Sequence, residues 1–129
     1  ICGDRKWTDR NIIEQQIVEL GVLEIEVVIE GEARGADTMA RVVAEGLGIP
    51  VLRFPADWDK HRKAAGPIRN QRMLDEGKPN LVLAFHDDLA NSKGTADMVG
   101  RAERAGIRVL RISHRDADCS KEWGSSAPA

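Results

Sequence analysis

The sequence lacks three features that would each indicate a function class: a long apolar run, an excess of one charge, and a cysteine framework. No apolar run approaches the roughly 18 residues of a membrane-spanning helix, and no signal peptide is visible. The net charge of −2 argues against sequence-independent binding to duplex DNA. Cys2 and Cys119 have no spacing typical of zinc ligands and are too few for a disulfide framework. We expect a cytoplasmic protein that associates with no membrane and holds no metal or cofactor.

The length and composition suit one globular domain. The chain has 129 residues, of which 42% are hydrophobic and 31% charged. Strand and helix patterns extend to about Ser113, and the rest of the chain is polar and ends in SSAPA. We therefore predict a single domain over residues 1–113 and a mobile tail over residues 114–129.

The stretch that organises the chain, Glu26–Phe54, predicts a strand, a glycine turn, a helix and a second strand. Val27–Ile29 is β-branched and suits a buried strand. Gly31 and Gly35 let the backbone of the turn approach a ligand, and the helix start presents N–H groups that attract an anion. We expect Gly35→Val to abolish anion binding while the protein stays folded. The helix has one apolar face, formed by Met39, Val42, Val43 and Leu47.

The order of strand, glycine turn and helix recurs on both sides of this stretch. The chain opens with a short apolar segment and Gly3, followed by a helix that Thr8 or Asp9 caps. Leu81–Phe85 is a continuous apolar strand, and Gly94 starts the helix after it. The alternation predicts an α/β protein with a three-layer, Rossmann-like, doubly wound parallel sheet of about five strands in the order 3-2-1-4-5.

Ligands of such sheets bind outside the carboxyl ends of the strands. The loops that leave these ends are residues 3–7, 31–37, 55–58 and 86–97. A further helix begins near Pro67, and its first turn contains Arg69 and Asn70. A cation there opposes the helix dipole, so it indicates either an anionic ligand or a surface salt bridge. Trp7 and Trp58 lie in two of the loops, where each would either stack on a base or pack in the core.

Five segments carry a resemblance to a known family: Gly3–Arg5 with Trp7–Asp9, Gly31–Asp37, Phe54–Trp58, Gly66–Asn70 and Gly94–Met98. Together they resemble the SLOG superfamily of Rossmann-like proteins, which includes the lonely-guy phosphoribohydrolases and the DNA-processing protein DprA. The match is to its YspA-type branch of small bacterial and phage proteins, and it covers the chain up to about Ser113.

The resemblance implies a nucleotide-like ligand held by these loops. In the phosphoribohydrolases an Arg before the fourth strand acts with a PGGxGT segment and a following acidic residue; Arg69 is similar to the former, and Gly94, Thr95 and Asp97 are similar to the latter. Here the PGG part is absent. In an enzyme, Arg69 and Asp97 would be catalytic. The ligand-binding candidates are Gly3, Asp4, Arg5, Trp7, Gly31, Ala33, Arg34, Gly35, Ala36, Asp37, Trp58, Asn70, Gly94 and Thr95.

Two functions stay open. The first is binding of a nucleotide or nucleotide-derived ligand, with its phosphate at the glycine-led helix N-termini. The alternative is a phosphoribohydrolase that cleaves the N-glycosidic bond of a nucleoside 5′-monophosphate, with the carboxylate of Asp97 in the reaction. A role in single-stranded nucleic-acid binding, by similarity to DprA, is disfavoured by the acidic balance. The resemblance also implies a homodimer. His61, His86 and His114 form no evident catalytic pair or metal set.

Overall fold

The structure is a computed structural model that describes residues 1–114. Strands and helices alternate along this part of the chain, as the sequence predicts. The strands are β1 (Cys2–Gly3), β2 (Val28–Glu30), β3 (Val51–Arg53), β4 (Leu81–Phe85) and β5 (Arg108–Ile112). The helices are α1 (Arg10–Leu20), α2 (Ala36–Gly46), α3 (Trp58–His61), α4 (Ala65–Gly77) and α5 (Gly94–Arg104). The predicted tail lies outside the described residues from residue 115 onward.

Capping residues set the helix bounds. The side chain of Asp9 accepts a hydrogen bond from Ile12 N at the start of α1, and Gly21 follows the end of that helix with a φ of 95°. The four-residue α3 is not predicted from the sequence, because one turn is too short to show an apolar period; its N-cap is Asp57. Among residues 1–114, none of the helices combines the length and apolar character that crossing a membrane requires.

All strand pairs within the described chain are parallel. β1, β4 and β5 form a three-stranded sheet in the order β1-β4-β5, and β2 and β3 form a separate pair. The terminal ammonium group of Ile1 donates a hydrogen bond of 2.6 Å to the carbonyl oxygen of Ile29, which places β2 on the free side of β1. The parallel α/β class is confirmed, whereas a continuous sheet in the order 3-2-1-4-5 stays a prediction.

Helices cover β4 on both faces, because its successive side chains point to opposite sides. Leu83 and Phe85 belong to a core cluster with α1 and α2. Val82 and Ala84 belong to a second cluster with α4 and α5. Cys2 is buried, and burial raises the pKa of its thiol to about 12, so it is a packing residue rather than a reactive one.

Gly35 sits where the first two loops pack backbone against backbone. Its φ is 75°, in the left-handed region, and a β-carbon there would lie 2.6 Å from the carbonyl oxygen of Arg5 and also overlap that of Asp4. The glycine pattern alone predicts that this space belongs to a ligand. The structure instead fills it with the β1–α1 loop, so the expectation that Gly35→Val leaves the fold intact is wrong.

A pair of glycine variants tests this packing. Gly48 has nearly the same φ, 77°, but a β-carbon there meets nothing within 4 Å. Both alanine variants bear the left-handed cost of about 1–2 kcal/mol. We expect Gly35→Ala to lower the free energy of unfolding by about 1–3 kcal/mol more than Gly48→Ala, because only the former also overpacks. Urea denaturation measures both, and equal losses would contradict the close packing.

Candidate functional site

Two loops at the carboxyl ends of the strands, those after β2 and β4, are joined by Arg69 and Asn70; α4 begins at Ala65, so these residues lie in its second turn rather than in the predicted first turn. The guanidinium group of Arg69 donates to the carbonyl oxygen of Gly31 and, through Nε, to Asn70 Oδ1 at 2.9 Å. Asn70 Nδ2 donates to the carbonyl oxygen of Gly94 at 3.2 Å and to Asp97 Oδ2 at 3.0 Å. Arg69 and Asn70 are both buried. Two of the segments predicted to form one site, residues 31–37 and 86–97, are therefore brought together by two adjacent side chains.

The glycine turn before α2 is closed by the protein's own carboxylate. Asp37 Oδ2 accepts hydrogen bonds from Gly31 N at 3.0 Å and Ala33 N at 3.4 Å. Ala36 N donates to the carbonyl oxygen of Asp4 at 3.1 Å. Burial, the largest effect, raises the pKa of Asp37. The expected use of the N–H groups of Gly31, Ala33 and Ala36 for an anion is thus replaced by internal hydrogen bonds.

Other N–H groups at the two helix starts have no acceptor within the described residues. Within residues 1–114, those of Arg34 and Gly35 before α2, and of Gly94 and Thr95 at the start of α5, donate to no protein acceptor. Gly94 is exposed, and a β-carbon on it would meet nothing within 4 Å. Helix N-termini with free N–H groups attract anions. These four groups are therefore the candidate donors for an anion at the two helix starts.

Asp97, a predicted catalytic residue, is held by two side chains. Its Oδ2 accepts from Asn70 Nδ2 and from Arg101 Nε at 2.8 Å. Arg101 also donates through Nη1 to Gln71 Oε1 at 2.9 Å, so the carboxylate ties α5 to α4. An ion pair with an arginine lowers the charge that the carboxylate offers to a substrate. This geometry suits a residue that positions the start of α5 and the loop before it.

The two candidate stacking residues lie in different environments. Trp7 is buried: its ring stacks on that of His114 with centroids 4.2 Å apart and contacts Phe85 edge to face. Trp58 is 46% exposed, and the guanidinium group of Arg5 lies 5.2 Å from its ring centroid. Of the two rings, only that of Trp58 presents a face to solvent beside the loops.

The carboxylates in the polar loop after β4 already have partners within the protein. Asp87 accepts from His114 N and lies 2.7 Å from His114 Nδ1, and these contacts lower the pKa of Asp87. Asp88 accepts from Asn91 Nδ2 at 2.9 Å. His86 lies near Asp4, the residue that follows the neighbouring strand β1. The two carboxylates that precede Gly94 in the chain are therefore turned toward partners within the protein.

Sequence reasoning missed Glu30, the last residue of β2. It is fully buried, and both carboxylate oxygens face one donor, Glu32 N, at 2.7 and 3.3 Å. Burial, the largest cause, raises the pKa of Glu30 to about 7. A charged residue directly before Gly31, at the end of an apolar strand, was the available signal. Ionisable groups with pKa values near 7 are typical of functional sites.

Neither of two cavities within residues 1–114 is lined by the four residues that carry the candidate anion donors. One, of about 680 Å³, lies between the start of α1 and α2, and His114 contributes to its wall. The other, of about 410 Å³, lies at the opposite, amino-terminal edge of the strands. In the described part of the chain, no three His, Cys, Asp or Glu residues are grouped to hold a metal ion. The free N–H groups of the loops after β2 and β4 therefore lie outside both cavities.

Comparison with known proteins connects these loops to a family. Residues 1–61 match the family model described as the YspA, cpYpsA-related SLOG family. The Gene 61 protein of Mycobacterium phage D29 is 33% identical to this chain over an alignment that covers 89% of this chain and 95% of that protein. No solved structure matches the chain. The family match contains the loops after β1 and β2, and the phage protein extends the similarity over most of the chain.

Replacing Glu30 by Gln tests its buried carboxyl. The folded-state pKa of about 7 lies above the ordinary 4.5, so wild-type stability should fall as pH rises between these values. We expect Glu30→Gln to exceed wild type by up to about 3 kcal/mol in free energy of unfolding at pH 8, and to match it near pH 4. Urea denaturation at both pH values measures this difference. Glu14→Gln, at an exposed position, is the control, and a pH-independent Glu30→Gln effect would contradict the assignment.

Proposed function

This chain belongs to the YspA, cpYpsA-related SLOG family, and we propose that it binds a nucleotide or nucleotide-derived ligand at the loops after β1, β2 and β4. One observation carries the proposal: Arg69 and Asn70 join two glycine-led helix starts at which four N–H groups have no acceptor within residues 1–114. Backbone donors arranged in this way bind phosphate in other folds.

The phosphate is held mainly at the start of α5. Gly94 and Thr95 supply N–H groups there, and the carboxylate in the first turn of α5, that of Asp97, is already paired with Arg101. Arg34 and Gly35 supply donors from the α2 side. Arg69 adds positive charge from below the loops, since its guanidinium group contacts Gly31 and Asn70 with only part of its donors.

The base of the nucleotide would stack on Trp58. This ring is exposed, lies against the start of α4 near Gly66, and is paired with Arg5. A base gains about 1–3 kcal/mol by stacking on an aromatic side chain. Trp7, the other stacking candidate, is buried and supports the loop from below.

We also propose that the protein is a homodimer. Val18, Leu20 and Leu23 are exposed apolar residues close together along the end of α1 and the turn after it. An apolar patch of this kind is typical of a protein–protein interface. Light scattering at high micromolar concentration measures the oligomeric state, and a monomer would contradict this proposal without affecting the ligand site.

Gly94→Ala tests the phosphate site without disturbing the fold. A β-carbon at Gly94 meets no protein atom, but it would stand between a phosphate and the start of α5. We expect it to weaken binding of nucleoside 5′-monophosphates by about tenfold or more in calorimetric titration. Gly46→Ala is the control, because a β-carbon there is equally free of contacts. Equal affinities would place the phosphate elsewhere. Arg69→Ala is a poorer test, since Arg69 also holds Gly31.

Asp97→Asn separates binding from catalysis. For a binding protein, no free base should appear when wild type is incubated with nucleoside 5′-monophosphates. A phosphoribohydrolase would release base, and Asp97→Asn would stop the release while leaving affinity nearly unchanged, because the carboxylate acts in the transition state. Chromatography detects the base. We expect none, since Asp97 is occupied by Asn70 and Arg101; Asp97-dependent release would establish the enzymatic alternative.

A further inference from the structure

Asp4 and His86 lie side by side at the carboxyl ends of β1 and β4. Gly3 pairs with Phe85 in the parallel ladder, so the next residue of each strand becomes a neighbour of the other. His86 Nε2 lies 4.0 Å from Asp4 Oδ2. In the predicted order 3-2-1-4-5, the strand order reverses between these two strands, and ligands of doubly wound sheets bind at that point.

Backbone hydrogen bonds hold both residues in place. Asp4 N donates to the carbonyl oxygen of Phe85 at 2.8 Å, and His86 N donates to that of Ile112 at 2.9 Å. Asp4 Oδ1 is occupied, since it accepts from Lys6 N at 2.8 Å. The oxygen left for a ligand is therefore Oδ2, which faces His86. A pair fixed before binding needs little ordering when a ligand arrives.

A backbone hydrogen bond assigns the tautomer of His86. Its Nδ1 accepts from Asp88 N at 2.9 Å, so in the neutral ring the hydrogen lies on Nε2. The pair thus presents one donor, His86 Nε2–H, and one acceptor, Asp4 Oδ2. Their separation of 4.0 Å is too long for a direct hydrogen bond. A single oxygen atom about 2.8 Å from each atom would bridge them.

The chemistry of this pair matches a hydroxyl group. A hydroxyl oxygen accepts from His86 and its hydrogen is donated to Asp4, so both partners are satisfied. A phosphate dianion has no hydrogen to donate and is repelled by the carboxylate. We propose that Asp4 and His86 bind a ribose hydroxyl, so that the protein selects ribonucleotides over deoxyribonucleotides. This inference rests on the proposed nucleotide binding and adds the sugar to it.

The test compares sugars on the wild-type protein. The four common ribonucleoside 5′-monophosphates and their 2′-deoxy and 3′-deoxy analogues are titrated by calorimetry. We expect the deoxy analogue that lacks the bound hydroxyl to bind about tenfold or more weakly, because its loss leaves two polar groups unpaired. Binding of all three sugars within about threefold would overturn the inference and leave the proposed function standing. No binding of any nucleotide at millimolar concentration would overturn both.

Asp4→Asn is the matched variant. The amide oxygen can still accept from Lys6 N, while the amide nitrogen puts a donor opposite His86 Nε2–H in place of the acceptor. We expect the roughly tenfold preference for the ribonucleotide over its deoxy analogue to fall to within about threefold, because the bridged hydroxyl loses its acceptor. Asp75→Asn makes the same chemical change at an exposed position of α4 and should keep the preference. An Asp4→Asn protein that folds and still prefers ribose would overturn the proposal.

Discussion

The site depends on the close approach of two backbones at Gly35. The carbonyl groups of Asp4 and Arg5 occupy the space that a side chain at residue 35 would need, and Ala36 N donates to the Asp4 carbonyl oxygen. The loop after β1 and the start of α2 are consequently one rigid unit. Since β1 pairs with β4, this unit also fixes the position of the loop that leaves β4. The groups that we propose bind the ligand lie on this unit or beside it.

Buried charge supplies the second constraint. The guanidinium group of Arg69 lies in the space beside Gly31, where a β-carbon would overlap it. Burial lowers the pKa of Arg69 and raises those of Asp37 and Glu30, so all three groups are held where their charged forms are disfavoured. Such groups contribute little stability compared with apolar residues of similar size. Their hydrogen bonds instead determine which loop lies against which, as Arg69 does between Gly31 and Asn70.

Much of the architecture could be predicted from the sequence, because the spacing of apolar residues identifies the strands and helices and glycines mark the turns between them. β4 has the predicted bounds, α1 begins directly after Asp9, one of the two predicted caps, and α5 begins at the predicted Gly94. Side-chain direction could not be predicted in the same way. That Asp37 would turn back onto Gly31 depends on the shape of the turn. That Asp4 would meet His86 depends on the register of two strands far apart in the chain.

The distribution of these carboxylates decides which helix start attracts a phosphate. The α2 start has Asp37 in its first turn and Glu30 at the end of the preceding strand, and with a pKa of about 7 Glu30 is partly ionised at neutral pH. The α5 start has Asp97, which Arg101 neutralises. Two otherwise similar helix N-termini therefore differ in local charge. The dipole of α5 acts on an anion with less opposition, which supports the proposal that the phosphate is held mainly at Gly94 and that the sugar lies toward Asp4.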